Sequence, residues 1–180
     1  MRAIHLVTVG ASGADDPAVE LGLLDRLSAS LARVFFVSCH VRTEVLDATM
    51  SLDPSRSQYH STAILSALAG QADADIRLLG ITGLDLFVPV LTYVFGEAQL
   101  HGNCGLVSIH RLREEYYGLP PNPALLAERL LKESLHEIGH TFGLRHCSDW
   151  RCAMASTHSV DRLDVKEARY CLSCLRTVAS

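Results

Sequence analysis

HEIGHTFGLRH, residues 136–146, sets three histidines and one glutamate within eleven residues, at the end of a run whose apolar spacing is helical. If residues 124–142 form a helix, His136 and His140 stand about 40° apart around its axis and about 6 Å apart along it, so both imidazoles reach one point. Glu137 is turned too far round the helix to chelate comfortably, yet it can touch a water bound to a metal held there, which is the position of a general base. His146 would point about 240° away from His140 if the helix continued, so the helix must stop between them. Gly143 supplies the stop, because glycine takes the left-handed conformation that ends a helix without a Cβ clash. Three neutral imidazoles and an open fourth position describe a catalytic zinc rather than a closed structural one. The competing reading is histidines scattered on a solvated helix face; shuffled chains of this composition reproduce the full pattern in fewer than about 1 in 10,000 cases.

The helix that carries the motif is tied to a core. Leu125, Leu126, Leu130, Leu131 and Leu135 give it an apolar stripe, and the prolines of GLPPNP (118–123) precede its first turn, where a missing N–H does no harm. Upstream, AIHLVTV (3–9) reads as a strand and residues 18–34 as a helix with Val19, Leu23, Leu27 and Leu31 on one side. A β-rich run at 34–41, a polar stretch, a helix at 59–70 carrying Ile64, Leu65 and Leu68, and a buried strand at 75–82 follow. LTYVFGEAQ (91–99) and CGLVSIHRL (104–112) read as two more strands joined through LHGNCG. The pattern predicts an α/β (α+β) class: a mixed β-sheet flanked by helices, then a short irregular cysteine-rich tail.

The 180 residues are 48% hydrophobic with a formal net charge of −4, which suits a single domain and provides no basic field for nucleic acid or anionic lipid. The apolar run at the N-terminus is too short for a secretory h-region, and no run reaches membrane-spanning length, so the expectation is a cytoplasmic protein with no membrane partner. Six cysteines in such a chain argue against disulfides.

Cys147 follows the third histidine directly, Cys152 comes five later, and Cys171 and Cys174 form a C-x-x-C pair. Two close thiol pairs separated by a loop have the form of a tetrahedral four-cysteine zinc site, with two disulfides or a redox-active Cys171–Cys174 pair as the alternatives. A structural zinc here would clamp the chain just beyond His146. Cys39, in an apolar run, and Cys104, in a glycine-flanked turn, read as packing thiols rather than ligands.

With these residues in place, the chain resembles the archaemetzincins, a compact family within the metzincin clan of zinc peptidases. The family pattern, His-Glu-x-x-His-x-x-Gly-x-x-His-Cys-x4-Cys-x-Met-x17-Cys-x-x-Cys, falls on His136, Glu137, His140, Gly143, His146, Cys147, Cys152, Met154, Cys171 and Cys174. The spacer between Met154 and Cys171 is sixteen residues here. The resemblance implies a zincin-like fold, a catalytic zinc on His136, His140 and His146, Glu137 as base and acid, and a second zinc on the four cysteines. It also implies a Met-turn that places Met154 beneath the histidines. Ser156 stands where some other metzincins carry a tyrosine as an extra ligand.

The function expected is a zinc metallopeptidase with two Zn2+, acting on a peptide or small protein; the monomer is the favoured state. The alternative is a zinc-stabilised binding or scaffold protein with a gated or vestigial site. A cleft is expected to divide one catalytic domain, 1–180, into an upper part (1–143) and a lower part (144–180). Family analogy places the substrate against an edge strand at Gly105 to Leu112. His158 reads as an exposed loop histidine, with an oxyanion donor as the alternative, and Tyr116, Tyr117 and Trp150 either line subsites or simply pack.

Overall fold

The alternation of apolar positions along the strands is resolved into two buried layers by a five-stranded sheet. The computed structural model describes residues 1–13 and 18–179. Its main sheet has the order β2 (Ser38–Asp47), β1 (Ala3–Gly10), β5 (Ile76–Thr82), β8 (Cys104–Ser108), β7 (Gly96–Ala98). The first four strands run parallel and β7 closes the sheet antiparallel to β8. One face is covered by α1 (Leu21–Phe35) and α3 (Pro123–Thr141), where Ile4, Leu6, Leu79, Ile81 and Val107 meet Leu27, Leu31, Leu130 and Leu135. The other face packs Val7, Val9, Leu78 and Leu106 against Ile64, Leu65 and Leu68 of α2 (Ser61–Ala69). A small sheet of β3 (Leu52–Asp53), β4 (Gln58–His60) and β6 (Leu86–Phe87) lies beside it. The expected mixed sheet flanked by helices is present.

Three sequence expectations shift. The run at 34–41 is divided, because α1 keeps Val34 and Phe35, Phe36 turns through φ 54°, and β2 starts at Ser38 and runs on through polar residues to Asp47. An edge strand needs only hydrogen bonds to its one neighbour, so apolarity marks it poorly. Of residues 91–99 only Gly96–Ala98 form a strand. The tail carries two short helices, α4 (Val160–Asp164) and α5 (Leu172–Val178).

Both ends of α3 follow from its sequence. The Asn122 side chain accepts a hydrogen bond from Leu125 N at 3.1 Å, ahead of Pro123 at the first helical position. At the other end Gly143 takes φ 87°, its N–H donates to His140 O at 2.8 Å, and Leu144 N donates to Gly139 O at 3.1 Å. This Schellman closure ends the helix between the second and third histidines, and buried Leu144 seals it. Among the described residues, no helix is long and apolar enough to cross a membrane.

Candidate active site and metal centres

The ring nitrogens of His136, His140 and His146 converge within 4.8 Å of one another. His136 and His140 come from consecutive turns of α3, and His146 from the segment that the Gly143 turn folds back. His136 Nδ1 lies 2.8 Å from Ala153 O and His140 Nδ1 lies 2.7 Å from Leu144 O. A carbonyl can only accept, so each Nδ1 carries the proton and each Nε2 presents a lone pair. The two Nε2 atoms then face each other at 3.1 Å. Two lone pairs so close repel unless a cation lies between them, and four-coordinate zinc holds its nitrogens about 3.3 Å apart. The donor set therefore fits a zinc ion. Burial holds all three histidines below the usual imidazole range, His136 furthest, which keeps them in the neutral, ligating form.

Glu137, buried, turns towards β7 and β8. Its side chain fits because two facing strand positions lack a Cβ: one built on Gly96 would lie 2.7 Å from Glu137 Oε1, and one on Gly105 3.2 Å from Glu137 Cβ. Burial, and then the neighbouring Glu133 carboxyl, push Glu137 well above the usual carboxylate range. Glu133, one turn earlier on α3, is itself buried and its Oε2 has no hydrogen-bond partner. Buried Lys166 supplies the local positive charge and donates from Nζ to Ala153 O at 3.1 Å, the same carbonyl that orients His136.

Met154 is fully buried against α3 at Gly139, where an added Cβ would meet its Sδ at 2.3 Å. The glycine between the two motif histidines thus makes room for the thioether, which packs there. Tyr170 buttresses the same point and donates its hydroxyl to Leu135 O at 2.6 Å.

The histidines and Glu137 open onto a cleft of about 840 Å³. One wall is the loop before β7 and β7 itself; the other is Arg145, His146 and residues 156–158. Tyr93 donates its hydroxyl to His158 O at 2.6 Å, joining the two walls. The His158 ring is exposed and lines the cleft, whereas Tyr116, Tyr117 and Trp150 lie outside it, beside Arg111 and Arg151. The strand expected to receive substrate is corrected: β8, which holds Gly105 to Ser108, is hydrogen-bonded on both sides, and beyond it the chain coils into short turns. The free edge belongs to β7.

The Sγ atoms of Cys147, Cys152, Cys171 and Cys174 also lie within 4.8 Å of one another, with Cys147 and Cys171 at 3.8 Å. No disulfide joins any of the six cysteines. Zinc–sulfur bonds of about 2.3 Å put tetrahedral sulfurs about 3.8 Å apart, whereas a disulfide needs about 2.05 Å. Backbone N–H groups of Met154 and Cys171 point at Cys152 Sγ at 3.4 and 3.3 Å, and a backbone hydrogen bond from Cys174 draws the Cys171 thiol below its usual range. Cys104 is fully buried and Cys39 partly so; neither joins the cluster.

No local pattern in the sequence marks Gly96, Glu133, Lys166 or Tyr93, or the room that Gly105 leaves for Glu137. Gly139 carried the one available signal, a helix-weakening residue inside a helix, which points to close packing.

The pattern of peptidase family M54 matches residues 35–180. An archaemetzincin of Methanocaldococcus jannaschii is 43% identical over 141 residues, covering 78% of this chain and 77% of that protein. The crystal structure of a zinc-dependent peptidase from Methanocorpusculum labreanum superposes with a TM-score of 0.85 at 30% identity, covering 97% of this chain and 99% of that one. An archaemetzincin from Archaeoglobus fulgidus, crystallised with malonate, gives 0.80 at 31% identity over 97% of this chain and 99% of that one. With a pattern that runs over most of the chain and relatives aligned along the greater part of it, the chain belongs to peptidase family M54, the archaemetzincins.

Proposed function

We propose that the chain hydrolyses peptide bonds at the three-histidine centre, with Glu137 moving the proton. The observation that carries this reading is the conjunction of three convergent imidazoles with a buried glutamate lining the same cleft. His136, His140 and His146 hold a zinc ion, and the four cysteines hold a second. Bound zinc supplies a Lewis acid that makes water acidic near neutral pH and polarises a carbonyl. Glu137 accepts the proton of the attacking water and returns it to the leaving amine nitrogen. Burial, which raises the Glu137 carboxyl above its usual range, favours it as a proton acceptor. Gly96 and Gly105 leave the carboxylate room on the cleft side of the sheet.

The substrate adds as a further strand along β7. Phe95 O accepts from Ser108 N and Gln99 N donates to Cys104 O, so those residues bond inward to β8. By antiparallel alternation, Gly96 and Ala98 turn their N–H and C=O groups to the open edge, where an extended peptide can pair with them. The chain works as one catalytic domain divided by this cleft at Gly143, with residues 144–180 as the lower wall. Its reduced four-cysteine cluster suits a reducing compartment, as in the cytoplasm.

The test is zinc per chain by elemental analysis, with hydrolysis of a diverse quenched-peptide library by wild type and Glu137→Gln. Two zincs in both proteins, with turnover lowered about 100- to 10,000-fold in the variant, is the expected result. Equal turnover would remove Glu137 from the mechanism. Two zincs without turnover in either protein would shift the reading to a peptide-binding module.

A further inference from the structure

We infer that Glu97 sets a preference for a basic side chain, lysine or arginine, on the substrate residue that lies opposite it; this rests on the proposed pairing of substrate with β7.

Glu97 occupies the middle of the free edge strand and lines the cleft, but its side chain is turned to the face opposite Glu137. There Ser61 donates a short hydrogen bond to Oε2, and the Thr62 hydroxyl lies 2.8 Å from Oε1 and 3.1 Å from Oε2. Both donors belong to the first turn of α2. The carboxylate is therefore half-buried and held in one orientation, and no lysine, arginine or histidine among the described residues forms an ion pair with it. Hydroxyl groups orient the charge without neutralising it. The side chain's position also follows from the register: Glu97 pairs with Leu106, whose side chain faces α2, while its neighbours Gly96 and Ala98 face Glu137.

A peptide paired with Gly96 and Ala98 puts one residue directly across from Glu97. Cross-strand neighbours share a face, with Cβ atoms about 4.5–5.5 Å apart, so that residue's side chain extends along Glu97 and away from the histidines. A lysine or arginine there meets a preformed carboxylate that loses no further side-chain freedom on binding. An aspartate or glutamate there meets a like charge. The adjacent substrate residues turn to the other face, towards Glu137 and the histidines, where the bond is cut.

The experiment measures binding, so that it does not depend on turnover. Zinc-loaded Glu137→Gln protein is titrated with labelled, end-blocked alanine-based peptides in which lysine, norleucine or glutamate is moved through each position, and Kd is read by fluorescence anisotropy. One position should prefer lysine over norleucine by about fivefold and disfavour glutamate. Adding Glu97→Gln, whose single amide oxygen can take the place of Oε2 and accept from both Ser61 and Thr62, should remove that preference and leave the norleucine peptides unchanged. Glu97→Lys should reverse it. The inference is overturned if no position prefers lysine, if the preference survives Glu97→Gln, or if Glu97→Gln weakens all peptides alike, which would mean that the carboxylate only ties β7 to α2. A Glu97-dependent preference without cleavage of any peptide by wild type would support the inference while removing the hydrolytic reading. Cleavage without a preference would do the reverse, and no binding by any peptide would overturn the inference while the hydrolytic reading is decided by cleavage with wild type.

Discussion

Gly96 and Glu137 share one volume. A Cβ on Gly96 would lie 2.7 Å from Glu137 Oε1 and 2.8 Å from its Cγ, with the Leu106 carbonyl oxygen also at 2.7 Å. Because backbone closes one side, either the carboxylate or the strand must move. Gly96→Ala is therefore expected to cut turnover about 100-fold, the usual cost of misplacing a reacting group by about 1 Å. Zinc content should stay unchanged, since no histidine is touched. Full activity with an intact zinc count would mean that Glu137 tolerates displacement.

Gly143 is constrained twice, by its φ of 87° and by the His101 ring, which an added Cβ would approach to 2.0 Å. Gly143→Ala should lower stability by about 1–3 kcal/mol and weaken zinc binding at the histidines, because the turn aims His146. Urea denaturation of Gly143→Ala and of the double variant with His101→Ala separates the two causes. The second substitution should restore the part due to the ring and leave the part due to the backbone.

Cys171→Ser opens the cysteine cluster. Elemental analysis should find about one zinc per chain in place of two, and thermal melting should show a lower Tm, because a zinc held by the four cysteines as proposed would contribute directly to folding. An unchanged metal count would end the assignment of a second zinc.

The Cys104 thiol gives a pH dependence with a definite sign. Burial pushes it up to about 11 from an ordinary 9.0, and the side chain is fully enclosed. Below pH 9 the thiol is protonated in both folded and unfolded chains. Between about 9 and 11 the unfolded chain releases this proton while the folded chain keeps it, so stability falls as pH rises through that window, by on the order of 2 kcal/mol. Cys104→Ala should flatten that alkaline decline in denaturant titrations at pH 8 to 11. It should be less stable than wild type at pH 8, from lost packing.

The two side-chain clusters that the structure brings together were legible because they are local: His136 with His140, and Cys171 with Cys174, are fixed by helical and short-loop spacing, and Gly143 announced the turn that returns His146. The strands with buried faces, β1 and β5, announced themselves by apolar runs. The β2 start and the edge role of β7 did not, because an edge is defined by which neighbour is missing, a fact of topology that no local pattern carries. The same limit explains Gly96, Gly105 and Lys166. Their roles arise from contacts with residues far away in the chain, and in sequence they are an ordinary glycine, another glycine and a surface-type lysine.

Cys152, Ala153 and Met154 make one three-residue passage between the cysteine cluster and the histidine cluster. The Cys152 thiol faces the other cysteines, the Ala153 carbonyl fixes the His136 ring, and the Met154 side chain sits against Gly139. Three consecutive buried residues leave little slack for one end to shift while the other stays. If both centres are filled as proposed, strain at one end of this passage would be felt at the other, and any coupling between the two occupancies would be equal whichever is filled first. A chelator strong enough for only the weaker centre would then be expected to loosen its neighbour too.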